Sequence, residues 1–272
     1  MLTLTKGQFF GQTNNTTNLE GVTLTDTEYT HEKVDWHYHE NAYFTLILEG
    51  RVIEGNRKEV YQCPPGTLLF HNWQESHYNI KPKEYTRGFH IEIETEWFKA
   101  HELDLRVSQG SIKLARPDIK IGAYNILKES KIADETSKMA IDSLLVNVFS
   151  QMNNTEEKQY QTLPSWVATL RAILHEATSE DWTLVSLAQT AGIHPAHLSR
   201  QFSKYFGSNL GDYIRYIKVE KAVALLTRKN VSLTDIAYDC GFADQSHFTR
   251  CFKSVYRLNP SRFRKIISKH PC

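Results

Sequence analysis

The sequence predicts a chain of two domains with different fold classes: an N-terminal all-β barrel carrying a helical segment, and a C-terminal all-α domain. Three observations support this prediction. At 272 residues the chain is longer than a typical domain with one hydrophobic core, which has roughly 100 to 200 residues. Short β-type runs separated by turn signals fill residues 7–96, whereas helical periodicity prevails from Pro117 onward. The charge divides as well, because residues 1–162 carry 17 Lys+Arg against 23 Asp+Glu and residues 163–272 carry 15 against 8.

This charge division separates the two parts chemically. The net charge is −6 for residues 1–162 and +7 for residues 163–272, although the whole chain carries only +1. A basic domain joined to an acidic one is typical of a module that binds a polyanion. The C-terminal part is therefore the candidate for nucleic-acid binding.

Cysteine usage and hydropathy exclude several classes of protein. The four cysteines, Cys63, Cys240, Cys251 and Cys272, are scattered and form no CxxC pair. This spacing argues against a disulfide framework or a structural zinc site and favours a reducing cytosol. The first residues contain no signal-like apolar region, and no run reaches 18 apolar residues. We therefore expect a cytoplasmic protein that is neither secreted nor membrane-spanning.

Residues 1–115 are predicted to form the β-domain. The runs "FTLILEG", "RVIEG", "VYQCPPGTLLF" and "RGFHIEIE" are broken by turn signals such as Gly50 and Pro64-Pro65-Gly66. Several short strands at this spacing indicate an all-β sandwich or barrel. In "FHIEIE" apolar and polar residues alternate with period two, which indicates a strand with two different faces.

Residues 116–152 are predicted to be a helical segment with a continuous apolar stripe. Its apolar residues recur at i, i+3, i+4, i+7, i+8 and i+11. Such a stripe packs on its own sheet or forms an interface with a second copy of the chain, and the sequence leaves both interpretations open. The candidate dimer interface consists of Ile141, Leu144, Leu145, Val148, Phe149 and Met152. The polar run "NNTEEKQYQT", residues 153–162, lacks an apolar period and is predicted to be a linker.

Residues 163–272 are predicted to be helical and contain an internal repeat. The stretch "LVSLAQTAGIHPAHLSRQFSKYF", residues 184–206, aligns with "LTDIAYDCGFADQSHFTRCFKSVY", residues 233–256. Each copy predicts a helix, a glycine turn and a second helix, because Gly192 and Gly241 suit the left-handed conformation that ends a helix. Between them, "NLGDYIRYIKVEKAVALLTR" predicts a connecting helix of about 20 residues, roughly 30 Å long.

The second helix of each copy has an apolar face and a polar face. Apolar residues recur every fourth position, at Leu198, Phe202 and Phe206 and again at Phe248, Phe252 and Tyr256. The opposite faces carry small polar residues and one arginine each, Arg200 and Arg250. A short helix of this kind can enter the major groove of DNA, where arginine bonds guanine and glutamine bonds adenine. The repeat therefore predicts two helix-turn-helix motifs joined by a long helix.

The C-terminal stretch "LTDIAYDCGFADQSHFTRCFKSVYRLNPSRFR" resembles the signature of the AraC/XylS family of bacterial transcription regulators, with the likeness covering residues 165–266. The resemblance implies that both recognition helices contact bases from their first two turns. The implied base contacts are Ala196, Ser199, Arg200, Gln245, Ser246, Thr249 and Arg250. Further along each helix, Lys204 and Lys253 are expected to contact phosphate. Ala196 is small, whereas family members often have a larger residue at this position. We therefore expect the first motif to contribute only modestly to base recognition.

Members of the family commonly place a cupin-like effector-binding barrel ahead of this module, and the N-terminal domain resembles one loosely. "HYHENAYFTLILEG" is similar to the first cupin motif, with His37 and His39, and "CPPGTLLFHNWQESHYN" to the second, with His77. Cupin metal sites normally add a carboxylate after three or four residues beyond the second histidine, a position that this chain fills with Tyr43 or Phe44. We therefore expect no cofactor and no metal. If a metal is bound, its ligands are His37, His39 and His77.

The residue types of the barrel predict a pocket for a small-molecule effector, since aromatic walls with a few hydrogen-bonding groups suit small polar ligands. The predicted pocket residues are His37, His39, Tyr43, His77, Tyr78, His90 and Glu92.

The sequence thus predicts a homodimeric, sequence-specific DNA-binding transcription factor that is not an enzyme, with RNA polymerase as a partner if it is an activator. Two alternatives stay open: a ligand-independent regulator whose barrel only dimerises, and a metal-dependent cupin enzyme with a helical appendage.

Overall fold

The computed structural model describes residues 2–103, 111–159, 164–176, 182–228 and 230–267. The chain divides into two compact units, Met1–Glu156 and Glu157–Cys272, which we call the N-terminal unit and the C-terminal unit. Strands dominate the N-terminal unit and helices make up the C-terminal unit. This confirms the predicted fold class, an all-β domain with an attached helical segment followed by an all-α domain.

The strands of the N-terminal unit form two sheets. In chain order they are β1 (Leu2–Leu4), β2 (Gln12–Leu19), β3 (Val22–Glu28), β4 (Lys33–His39), β5 (Ala42–Glu49), β6 (Val52–Asn56), β7 (Val60–Cys63), β8 (Leu68–His71), β9 (His77–Ile80), β10 (Arg87–Ile93) and β11 (Ser111–Leu114). One sheet has the order β1-β4-β9-β6-β7 and the other the order β11-β8-β5-β10-β3-β2. Within the described residues the two sheets are not hydrogen-bonded into a closed ring, so the predicted barrel is a cupin-like pair of sheets.

The central strands of the six-stranded sheet are buried on both faces, but the two faces differ in chemistry. Ile91 pairs with Phe44 across β10 and β5, and Phe44 packs against Phe149 of a helix. His90 pairs with Thr45 and lies on the opposite face, because side chains alternate along a strand. The period-two pattern of "FHIEIE" thus separates an apolar face covered by helix from a polar face turned toward the other sheet.

Three helices follow in chain order: α1 (Thr95–Ala100) and α2 (Pro117–Ile132) lie in the N-terminal unit, as does all of α3 (Ser137–Gln159) except its last three residues. Helix α3 carries the predicted apolar stripe. Five of its six residues are buried within the unit and Leu144 is half-buried, while Phe149 contacts Phe70 and Phe98. The stripe therefore packs on its own sheet, which corrects its assignment to a subunit interface, since these side chains are already covered. The predicted linker is helical as far as Gln159, and residues 160–162 lie outside the described residues.

A buried ion network ties helix α2 to the six-stranded sheet. Arg87 is only 1% exposed and donates two hydrogen bonds to Asp26, from Nε to Oδ1 at 2.8 Å and from Nη2 to Oδ2 at 2.7 Å. Lys131, in the last turn of α2, donates to Asp26 Oδ2 at 2.7 Å. One carboxylate therefore pairs with two cations, and the otherwise costly buried guanidinium has a charged partner.

The C-terminal unit contains the predicted pair of helix-turn-helix motifs. Its described helices are α4 (Ser165–Glu176), α5 (Leu184–Thr190), α6 (Pro195–Phe206), α7 (Leu210–Leu226), α8 (Leu233–Asp239), α9 (Gln245–Tyr256) and α10 (Pro260–Ile267). Helices α5 and α6 form the first motif, α8 and α9 the second, and α7 connects them. With 17 residues, α7 is about 26 Å long, somewhat shorter than the sequence predicts.

Two further observations bear on the protein class. Among the helices that the structure describes, none combines the length and apolar character needed to cross a lipid bilayer. Cys63, Cys240 and Cys251 are buried and free, while Cys272 lies outside the described residues.

Candidate functional site

Local sequence features determine where helix α6 begins, and one face of the helix is exposed to solvent. Gly192 in the preceding turn has φ +67°, a conformation that other residues rarely adopt. The His194 side chain caps the helix by accepting from the Ala196 backbone N–H at 3.2 Å, and Pro195 occupies the first position. Leu198, Phe202 and Phe206 are buried. The opposite face exposes all four residues assigned to it from the sequence, Ala196, Ser199, Arg200 and Lys204.

Helix α9 repeats this arrangement one motif later. Asp244 caps it by accepting from the His247 backbone N–H at 2.6 Å, and Gly241 has φ +73°. Gln245, Ser246, Arg250 and Lys253 are exposed and Thr249 is half-buried. Thr234 Oγ1 donates to Gln245 Oε1 at 2.7 Å, so the first helix of the motif orients this amide and leaves its NH₂ group outward. Thr249 Oγ1 donates to the Gln245 carbonyl at 2.8 Å, and its hydroxyl oxygen stays able to accept.

The aromatic residues beneath α9 hold this polar face in place. Phe252 is fully buried, and its ring lies 5.6 Å from Phe248, 4.8 Å from Tyr256 and 5.2 Å from Phe263 of α10. These aromatic residues form a rigid support for helix α9 and its polar face. Contact with nucleobases in a groove requires such rigidity.

A second candidate site lies between the two sheets of the N-terminal unit. A cavity of about 560 Å³, including its opening to solvent, is lined by residues of both sheets. Five predicted pocket residues line it, namely His37, His39, Tyr43, His77 and His90. Tyr78 and Glu92 do not line it, which corrects the predicted set. Tyr78 packs on Trp36, with ring centroids 5.1 Å apart, whereas Glu92 accepts hydrogen bonds from Gly7 N at 2.6 Å and Asn41 Nδ2 at 2.8 Å.

Backbone carbonyls fix the orientation of two cavity histidines. His37 Nδ1 lies 2.9 Å from the Asp35 carbonyl and His77 Nδ1 lies 3.1 Å from that of Glu75. Since a carbonyl only accepts, each Nδ1 carries the proton and each Nε2 keeps its lone pair. His77 Nε2 accepts from the Tyr43 hydroxyl at 3.0 Å.

Three histidines of the cavity, His39, His77 and His90, are neutral at neutral pH. Burial lowers the pKa of His77 and of His90 to about 3, and it lowers the pKa of His39 well below its ordinary value. Burial also raises the pKa of Glu54 to about 8. Neutral imidazoles with free lone pairs accept hydrogen bonds or bind metal ions.

Several residues of this site are not predicted by the sequence. Phe9 and Phe10 line the cavity from the N-terminal segment, and Phe9 stacks on His90 at 3.7 Å. Glu54 on β6 and His71 on β8 lie beside His77 as well. Period-two alternation in "RVIEG" could have placed Glu54 on the inner face with Val52, but it gives no information about which strand lies opposite.

Comparison with known proteins is consistent with this geometry. A profile of the family described as "Helix-turn-helix domain" matches residues 187–266. An uncharacterized HTH-type transcriptional regulator of Escherichia coli, YijO, is 24% identical over 81% of this chain and 80% of its own length. A regulator of the same description from Haemophilus influenzae is 32% identical over 36% of this chain, and the match spans only 33% of that relative. A putative AraC-like transcription regulator of Streptomyces lividans is 30% identical over 36% of this chain and 33% of its own.

The relatives are named as regulators. The family profile covers most of the double motif described above, including both capped helices. The relationship to the Escherichia coli regulator also extends over most of the N-terminal unit. The chain therefore carries a helix-turn-helix DNA-binding domain, and it is similar to transcriptional regulators that include AraC-like members.

Proposed function

We propose that α6 and α9 each enter a major groove and contact base edges there. The observation that carries the proposal is the repeated exposure of Arg200 and Arg250, each one and a half turns into a capped helix with an aromatic underside. Such an arginine can bond the O6 and N7 atoms of guanine. The proposed base contacts are Ala196, Ser199, Arg200, Gln245, Ser246, Thr249 and Arg250.

Lys204 and Lys253 lie one turn beyond the arginines, at a distance along the helix that suits the DNA backbone. We propose that they contact phosphates, which fix the position of the helix without reading sequence. The +7 charge of residues 163–272 supplies the attraction for DNA that such contacts need.

Replacing Arg250 with alanine is expected to cost about 1–3 kcal/mol of specific binding and to relax the preference at one base position. Lys253→Ala is the matched control, because it is expected to weaken all sequences alike and to reduce the salt slope by about one. Fluorescence titration of the full chain with specific and scrambled duplexes at several salt concentrations measures both effects. Unchanged affinity and unchanged base preference in Arg250→Ala would remove this residue from base contact.

The cavity of the N-terminal unit supports a regulatory role. We propose that a small ligand binds there and changes DNA binding, since the cavity opens to solvent and is lined by aromatic rings and by histidines that can form hydrogen bonds. A ligand shifts the regulator only if it binds two states with different affinity. A thermal-shift screen in which no compound or ion stabilises the chain would favour a ligand-independent regulator. The homodimer, RNA polymerase as a partner and a cytoplasmic location stay predictions from the sequence.

A further inference from the structure

Two overlapping groups of buried side chains bring metal-ligand atoms together in the N-terminal unit. His37, His39 and His77 form one group, while Glu54, His71 and His77 form the other. In each group the ligand atoms lie within 4.8 Å of one another. We propose that Glu54, His71 and His77 bind one divalent transition-metal ion of the zinc, iron or cobalt class.

The three side chains come from different strands and form a compact set. Glu54 Oε1 on β6 lies 3.4 Å from His71 Nε2 on β8, and these side chains are 5% and 0% exposed. The ring centroid of His71 lies 4.9 Å from that of His77 on β9. Two imidazoles and one carboxylate are a common donor set for divalent zinc and iron, with positions left for water or another ligand.

The carboxyl group of Glu54 is placed to bind a cation. Its Oε2 accepts a hydrogen bond from Asn79 Nδ2 at 3.2 Å, which orients the group. Its Oε1 is buried and has no hydrogen-bond donor among the residues that the structure describes. Burial favours the protonated form of this carboxyl group, so a cation bound at this position would displace the proton and compensate the buried negative charge.

The orientation of His77 also suits a ligand. Its Nδ1–H donates to the Glu75 carbonyl, the kind of support that metal-bound histidines almost always have. The Nε2 lone pair, which accepts from the Tyr43 hydroxyl, is the atom available to an ion. The ion would take the place of that hydroxyl at Nε2.

Charge and access favour the group with Glu54 over the group of three histidines. Three neutral histidines would leave the full double charge of the ion in a buried site, whereas Glu54 neutralises half of it. Glu54 and His77 both line the cavity, which opens to solvent and gives the ion a path of entry.

The test is a titration of the metal-free full chain with zinc by calorimetry, with cobalt(II) as the spectroscopic probe of the ligands. We expect one ion per wild-type chain. Glu54→Gln should lower the affinity at least about tenfold, because loss of a supporting partner alone costs 10–100-fold. Glu92→Gln is the matched control: Glu92 is 1% exposed, but both of its oxygens accept hydrogen bonds, so we expect wild-type affinity.

A third variant distinguishes the two groups. His37→Gln should bind zinc as the wild type does, since His37 belongs only to the group of three histidines. The proposal is overturned if the wild-type chain takes up no stoichiometric zinc. It is also overturned if His37→Gln loses the ion while Glu54→Gln keeps it. The measurements on the wild type and on His37→Gln remain informative even if Glu54→Gln fails to fold. Because the titration contains no DNA, its outcome is independent of the proposed regulation of DNA binding.

Discussion

Asp26→Ala is expected to destabilise the N-terminal unit by about 3–5 kcal/mol, the usual cost of leaving a buried charge without its partner. The side chain of Arg87 would keep its charge at 1% exposure, and Lys131 would lose its 2.7 Å contact with the sheet. Burial alone would raise the pKa of Asp26, but the hydrogen bonds and charges of Arg87 and Lys131 outweigh it and lower the pKa to about 2. The folded pKa is therefore below the unfolded value of 3.8, so this stabilisation is present above that pH and is lost as the pH falls toward 2.

Hydrogen exchange resolved by peptide measures this effect in each unit separately. Faster exchange is expected in β3, β10 and α2, with α5 to α10 unchanged. Glu49→Ala is the matched control, because Glu49 lies 3.5 Å from Arg87 Nη1 but its side chain is 27% exposed. It should cost at most about 1 kcal/mol. Equal losses in the two variants would show that Asp26 does not hold the network together.

Phe252→Ala is expected to cost the C-terminal unit about 3–5 kcal/mol, because a fully buried aromatic ring leaves a cavity when it is truncated. This is a large fraction of the 5–15 kcal/mol that stabilises a typical domain. Since the ring packs against both α9 and α10, its loss should loosen the helix that carries Arg250. Specific DNA affinity should then fall further than in Arg250→Ala.

Phe252→Leu is the control for this prediction, because leucine retains most of the buried apolar volume. It should keep specific DNA binding and lose less stability, as measured by urea unfolding of the same preparations. If Phe252→Ala binds its specific duplex as the wild type does, then the aromatic support is not needed to hold α9 in place.

The C-terminal unit could be predicted in detail because its signals are local. Gly192 and Gly241 end helices, Pro195 and Pro260 begin them, and the four-residue spacing of Leu198, Phe202 and Phe206 marks the buried face. Each of these features acts within a few residues, so the sequence carries it without knowledge of tertiary contacts.

The N-terminal unit was predicted less completely because its site depends on strand pairing. Glu54 reaches His71 and His77 only because β6 pairs with β9 in one sheet while β8 lies in the other. For the same reason the sequence could not place Tyr78 beside Trp36 or Glu92 against Gly7. The stripe of α3 shows a related limit, since an apolar helix face has the same pattern whether it packs on its own sheet or on a partner.

DNA binding by both motifs is tested most directly by high-resolution footprinting of the full chain on the genomic sites that it selects. The two-motif arrangement predicts two protected stretches on one face of the DNA, about one helical turn or 10 base pairs apart. Arg200→Ala should weaken one stretch and Arg250→Ala the other. Failure to select any sites over competitor DNA would contradict sequence-specific binding by the two motifs, as would a single protected stretch that neither substitution affects.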